Sequence, residues 1–199
     1  MSNALRKKKK PTFFTKKDTM IIGRNDFESR NTERVVIKSY KDYLAIGYMV
    51  LHDEFGFGQK RMIRLEQTVN SYSEASVNDS NMKGTALAFI LKDKYEVDVT
   101  DIVNRVPQSQ LMKLYAIKGR CVEREAYRLS RASMFNYLAL TITALKKMFG
   151  FTRKQLSEFS NKFIDYIDTL ANYKQFQLTV PMIAQSLADE IKFVCDLEA

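Results

Sequence analysis

The feature that most constrains the fold of this chain is an internal repeat. Residues 43–60 align over residues 137–154 without a gap, at an offset of 94, and eight of the 18 positions are identical. Both copies contain a Phe-Gly-Phe triplet in register. Self-similarity at a fixed offset is typical of a chain built from repeated supersecondary units. The repeat predicts a helix, a Phe-Gly-Phe turn, a second helix, a polar loop and a more loosely aligned third helix in each copy.

The distribution of Gly, Pro and apolar residues predicts helices almost throughout. The 199 residues include only seven Gly and three Pro, and apolar residues recur at spacings of three and four. Asn31 and Thr32 are candidate caps for a helix that runs to about Phe55, and Pro107 opens a long helical pattern toward Met148. Between and after these helices, the patterns predict a helix from near Gln59, a loop over 70–81, a helix around 86–95, a connector or short helix over 98–106, and amphipathic helices around 156–170 and 183–194.

These elements predict an all-α fold of two tandem related three-helix units joined by a long central helix, with a basic flexible N-terminal arm. The expected divisions are an arm over residues 1–30, a first unit over 31–106, and the central helix with the second unit over 107–199. Gly56 and Gly150 are expected to end helices with a left-handed backbone. Thr152 and Gln155 fit a capping box at the start of the helix that follows.

The turn of the first copy also carries a resemblance. The string Leu-His-Asp-Glu-Phe-Gly-Phe-Gly-Gln-Lys-Arg, residues 51–61, resembles a motif of small, largely uncharacterised helical proteins encoded by phages and mobile elements of Gram-positive bacteria. The similarity covers about residues 40–99 and, more weakly, 134–197, where Thr152 replaces Gly58 and Lys146 replaces His52. It implies a mobile-element origin and transfers no known chemistry to this chain.

Several classes of protein are disfavoured by what the sequence lacks. It has no apolar run near 18 residues and no secretory signal, so we expect a protein of the bacterial host cytoplasm. Cys121 and Cys195 stand far apart, and His52 is the only histidine, so neither a structural zinc site nor a disulfide framework is supported. A polar residue such as His52 suits the last turn of a helix without any catalytic role. We expect no catalysis, no metal and no cofactor.

The net charge of +9 is concentrated in two segments. Residues 1–17 hold seven cations and no acid, which is typical of an arm that contacts a polyanion or keeps the chain soluble. Residues 111–131 carry a row of cations that would share an arc of roughly 80° on one helix, with Glu123 and Glu125 outside it. These candidate nucleic-acid-binding residues are Lys7, Lys8, Lys9 and Lys10 in the arm, and Lys113, Arg120, Arg124, Arg128 and Arg131 in the row. The alternative for the row is pairing with acidic residues of another helix or subunit.

A third group of cations follows the two Phe-Gly-Phe turns. It consists of Lys60, Arg61 and Arg64 after the first turn, and Arg153 and Lys154 after the second. Positive side chains oppose the dipole at a helix start, so they would suit an anion held there, although solvated side chains are the common alternative.

These charges predict a non-catalytic protein that binds DNA or RNA mainly through phosphates. The alternative is an anti-defence inhibitor, such as an anti-CRISPR, that binds a host protein or its guide RNA. An oligomeric assembly role is a third possibility.

Overall fold

The computed structural model describes residues 16–116 and 123–197, and the regular structure within these ranges is entirely helical. The helices are α1 (Lys16–Phe55), α2 (Gln59–Asn78), α3 (Gly84–Tyr95), α4 (Val99–Asn104), α5 (Gln108–Tyr115), α6 (Glu123–Phe149), α7 (Arg153–Ala171), α8 (Tyr173–Phe176) and α9 (Val180–Ile191). A 3-10 turn over Ser80–Met82 separates α2 from α3. The all-α class is therefore confirmed.

Three expected boundaries are wrong. Helix α1 begins at Lys16, so Asn31 and Thr32 do not cap it, and residues 16–30 of the expected arm are helical. Helix α2 continues to Asn78 through most of the expected loop, and Tyr72 within this stretch still packs against the core. The long helix expected toward Met148 is interrupted, since Ala116 after α5 has an extended backbone with φ −68° and ψ 124°. Helix α5 instead packs against α6 and α7 through the buried side chains of Leu111 and Tyr115.

The two longest helices, α1 and α6, lie side by side and run in the same direction. Val36 faces Ser133, Tyr43 contacts Tyr137 with ring centroids 6.3 Å apart, and the helix ends meet at the Phe-Gly-Phe turns. Beyond this pairing, α1 packs against α7 and α9, whereas α6 packs against α2, α3, α4 and α5. Apart from α5, which belongs to the same part of the chain as α6, the main partners of each long helix are therefore later helices of the other copy of the repeat. The buried apolar residues form one hydrophobic cluster.

Contacts in one half recur in the other at the repeat offset. Tyr166 of α7 donates a hydrogen bond to Asp53 of α1 at 2.6 Å, and 94 residues earlier the ring of Tyr72 in α2 faces Lys147 of α6. Helices α3 and α9 both have 12 residues and end in a left-handed residue, Glu96 or Lys192, at an offset of 96. The division into two successive units remains a prediction, and the packing shows that the two copies share one core.

Candidate nucleic-acid interface

The two Phe-Gly-Phe turns build the centre of the candidate surface. Gly56 and Gly150 have φ values of +61° and +66°, the left-handed conformation that glycine adopts without a steric penalty. This conformation lets the amide of Phe57 bond the carbonyl of Leu51 at 3.0 Å, and the amide of Phe151 makes the same bond to Leu145. Both helix ends are thus closed in the same way, as the sequence predicted.

The aromatic rings of the two turns pack on each other in a crossed arrangement. Phe55 contacts Phe151 and Phe57 contacts Phe149, each with ring centroids 4.9 Å apart. The first ring of each turn therefore meets the second ring of the other. Reciprocal contacts of this kind are those of a two-fold symmetric interface, here formed within one chain. The turns place the starts of α2 and α7 beside each other at one end of the molecule.

The start of α2 presents exposed cations that rest on these rings. Lys60, Arg61 and Arg64 are exposed, with the guanidinium of Arg61 lying 5.6 Å from the Phe57 ring centroid and that of Arg64 5.9 Å from Phe149. Lys147, near the end of α6, lies over the ring of Tyr72, about three turns further along the side of α2 that carries Arg61. We call Lys60, Arg61, Arg64 and Lys147 the basic face. Sequence reasoning missed Lys147, because only the packing of α6 on α2 brings it to this group.

The corresponding face at the start of α7 carries acids as well as cations. At the repeat offset, Gln155 stands for Arg61, Glu158 for Arg64 and Asp53 for Lys147. Of the cations expected there, Lys154 is exposed, while Arg153 forms an ion pair with Glu96 across to the end of α3. The capping box of Thr152 and Gln155 is present. The two faces share their backbone geometry but differ in charge.

The cationic row expected over 111–131 is not continuous. Lys113 lies on α5, with its amine 3.4 Å from the side-chain oxygen of Asn172, and Arg120 lies outside the described residues. Arg124, Arg128 and Arg131 share one side of α6. The guanidinium of Arg128 is held by Glu125, with hydrogen bonds of 3.0 and 2.6 Å, although this carboxylate was expected outside the arc.

Ion pairing and hydrogen bonding therefore occupy part of the row. Arg128 lowers the pKa of the Glu125 carboxyl by hydrogen bonding and charge attraction. Arg131 donates a hydrogen bond to the side-chain oxygen of Asn104 at the end of α4. Pairing was the alternative expected for the row, but the acid belongs to the same helix rather than to another. Both Arg128 and Arg131 line a cavity among α3, α4 and α6.

Both ring nitrogens of His52 contact oxygen atoms of the protein. Its Nε2 lies 2.9 Å from a carboxylate oxygen of Glu190, and its Nδ1 lies 3.2 Å from the carbonyl oxygen of Phe57. Only the protonated ring donates from both nitrogens, so this geometry suits the imidazolium. Lys146, at the same position of the second copy, donates to the carbonyl of Phe151 at 3.0 Å. His52 and Lys146 therefore make equivalent contacts with the carbonyl oxygens of the two turns.

The described residues contain no group of three or more His, Cys, Asp and Glu side chains placed to hold a metal ion. Burial, helped by the charge of Glu66, raises the pKa of the Cys195 thiol to about 12. Such a thiol is a poor nucleophile at neutral pH. Cys121 lies outside the described residues, as do Lys7, Lys8, Lys9 and Lys10.

The fold and the candidate surface together define an all-helical protein whose repeated turns carry unequal charge. Within the described part of the chain, no helix combines the length and the apolar character that crossing a membrane requires. No family model, curated protein or solved structure matches the chain.

Proposed function

We propose that this is a non-catalytic protein that binds nucleic acid through phosphate contacts on the basic face. The observation that carries the proposal is the charge difference between two faces of like geometry. Where the second copy has Glu158 and Asp53, the first has Arg64 and Lys147. Packing of the shared turns does not require these cations, because the related turn packs in the same way without them. The resemblance of the turn motif to phage and mobile-element proteins supports such an origin.

The cations of the basic face are available to an external anion. Among the described residues, none of Lys60, Arg61, Arg64 and Lys147 forms an ion pair. An Arg stacked on an aromatic ring keeps the N–H donors at the edge of its guanidinium free for a phosphate. Stacking also restricts the side chain before binding, which reduces the entropy lost when a phosphate is bound.

The acidic residues near the start of α7 limit where a polyanion can lie. Asp53, Glu54 and Glu158 would repel a phosphate backbone, and Glu54 forms its own ion pair with Lys162 at 2.7 Å. Nucleic acid is therefore expected to contact one half of the turn region only. Exposed phosphate contacts of this kind confer affinity that depends on salt and carry no direct base readout.

The test compares two double variants that remove the same charge from related helix starts. Arg61→Gln with Arg64→Gln removes two cations of the basic face, and Arg153→Gln with Lys154→Gln is the matched control. In fluorescence anisotropy with labelled duplex DNA over a range of salt concentrations, the first pair should weaken binding by about tenfold or more. It should also reduce the log–log salt slope by roughly 1.8, the value for two lost phosphate contacts. The control should change affinity by less than about threefold.

Two results would overturn the proposal. One is that neither duplex nor single-stranded DNA or RNA binds to the intact chain at physiological salt. The other is that the two double variants lose affinity equally, because net charge rather than the basic face would then determine binding. Far-UV circular dichroism of each variant establishes that it remains folded.

A further inference from the structure

Two adjoining cavities flank the start of α3, away from the Phe-Gly-Phe turns. The first has a volume of about 430 Å³ and lies among α3, α4 and α6, with Arg128, Arg131, Tyr127 and Phe135 in its lining. The second has a volume of about 550 Å³ and lies among α1, α2, α3 and α6. Thr85 and Asn136 line both cavities and lie between them, where the start of α3 packs on α6 and Gly84 contacts Asn136. We call the two cavities, with the exposed Thr85 and Asn136 between them, the groove, and each cavity one of its lobes.

The first lobe combines the groups that bind a nucleotide unit. Arg128 and Arg131 supply guanidinium donors for a phosphate, and the half-buried Tyr127 and Phe135 supply aromatic surface for a base. A phosphate bound here would displace their present partners, the carboxylate of Glu125 and the side-chain oxygen of Asn104, which bond the two guanidiniums near the protein surface. The lobe is of the size that small-molecule sites have in proteins.

The lining of the second lobe includes aliphatic side chains and a cation. Val36 and Ile37 are apolar and remain exposed at its wall, at 37% and 36%. Lys83, which is exposed and immediately precedes α3, adds a cation close to the residues shared with the first lobe. Cations therefore flank the shared Thr85 and Asn136 from both sides, with an apolar or aromatic wall in each lobe.

We infer that this groove binds single-stranded nucleic acid, with successive bases in the two lobes and the connecting phosphate near Thr85 and Asn136. This inference rests on the proposed function and names its ligand class. The bases of a duplex are stacked and paired, so they cannot enter concave lobes unless they leave the stack. A cationic groove with aromatic walls is the arrangement by which proteins bind single strands without strong sequence preference.

The test uses a fluorescently labelled oligothymidylate of about twelve nucleotides, alone and paired with its complement. Ala132 is exposed and lines the first lobe, so Ala132→Phe fills that lobe with little effect on the core. Ser157→Phe, on the exposed side of α7, is the matched control. Arg131→Gln is a second variant that removes a phosphate donor and leaves the volume of the lobe nearly unchanged.

The intact chain should bind the single strand about tenfold more tightly than the duplex at equal salt. Ala132→Phe and Arg131→Gln should each weaken single-strand binding by about tenfold and change duplex binding by less than about twofold, while Ser157→Phe changes neither. Duplex binding equal to or tighter than single-strand binding would overturn the inference, as would unchanged single-strand binding in both groove variants. These outcomes leave the basic face intact as a duplex-binding surface, whereas loss of all binding overturns the proposed function as well.

Discussion

Replacing Gly47 by Ala should destabilise the fold, because this glycine provides space for a buried ring. A Cβ atom at position 47 would lie 1.7 Å from the hydroxyl oxygen of Tyr137 and 2.9 Å from its Cζ. The ring cannot easily move away, since it is completely buried and is stacked 5.5 Å from Phe163 and edge-on at 6.1 Å to Tyr40.

The magnitude follows from two opposing effects. Gly to Ala in the interior of a helix by itself favours folding by about 1 kcal/mol. Overpacking of a core costs about 1–3 kcal/mol and occasionally more, and an overlap this deep belongs at the upper end. We therefore expect Gly47→Ala to lower the free energy of unfolding by about 2 kcal/mol.

Urea unfolding followed by far-UV circular dichroism measures this change. Gly58→Ala is the control for an added Cβ without a clash, because Gly58 is exposed and its Cβ would meet nothing within 4 Å. Since Gly58 is the N-cap of α2 and Ala caps a helix less well, we expect this control to lose at most about 1 kcal/mol. Combining Gly47→Ala with Tyr137→Phe removes the closest contact, and we expect this pair to recover about 1 kcal/mol relative to additivity. Unchanged stability of Gly47→Ala, or strict additivity in the double variant, would refute the packing argument.

Three further predictions concern the turns and the helix ends. Gly56→Ala and Gly150→Ala should each lower the free energy of unfolding in urea by about 1–2 kcal/mol. The cause is backbone strain alone, since neither added Cβ meets an atom within 4 Å. Unchanged stability would contradict the left-handed conformation at these glycines. Burial alone would lower the pKa of His52, but hydrogen bonds to Glu190 and to a backbone carbonyl raise it on balance. The stabilisation is then complete below about pH 6.5 and is lost as the pH rises through the raised pKa. In thermal melts, the melting temperature of the parent should therefore fall as the pH rises above about 6.5, and His52→Gln should lack this decline. Thr152→Ala should cost about 1 kcal/mol in the same urea assay through loss of the cap, and a change below about 0.3 kcal/mol would argue against it.

The parts of the fold that the sequence predicted are those with local causes. Left-handed closure at Gly56 and Gly150 follows from the lack of a side chain, and the capping box at Thr152 requires only residues three positions apart. The helix start near Gln59 was likewise recognisable from the turn residues that precede it. Such signals act over a few residues and do not depend on distant partners.

The features that sequence reasoning missed depend on tertiary contacts. The pattern toward Met148 is periodic on both sides of Ala116, so periodicity does not mark the point where α5 ends and packs back on α6 and α7, although Gly119 lies close to it. On a helical projection Glu125 lies outside the arc of the cationic row, yet it is only three residues from Arg128 and forms an ion pair with it. Lys147 could be assigned to the basic face only after α6 was seen beside α2.

The shared core explains why the two copies can differ in charge and still keep one shape. Because α1 packs on α7 and α9 while α6 packs on α2 and α3, each copy depends on the apolar face of the other, and identity persists at buried positions such as Tyr43 and Tyr137. Exposed positions near the turns are free of that requirement, since surface substitutions away from specific contacts change stability little. Cations on one face and acids on the related face are therefore compatible with one fold. At the turns, this arrangement presents a polyanion with one attractive half and one that carries acids, so a nucleic acid bound there is expected to contact only the half that carries Arg61 and Arg64.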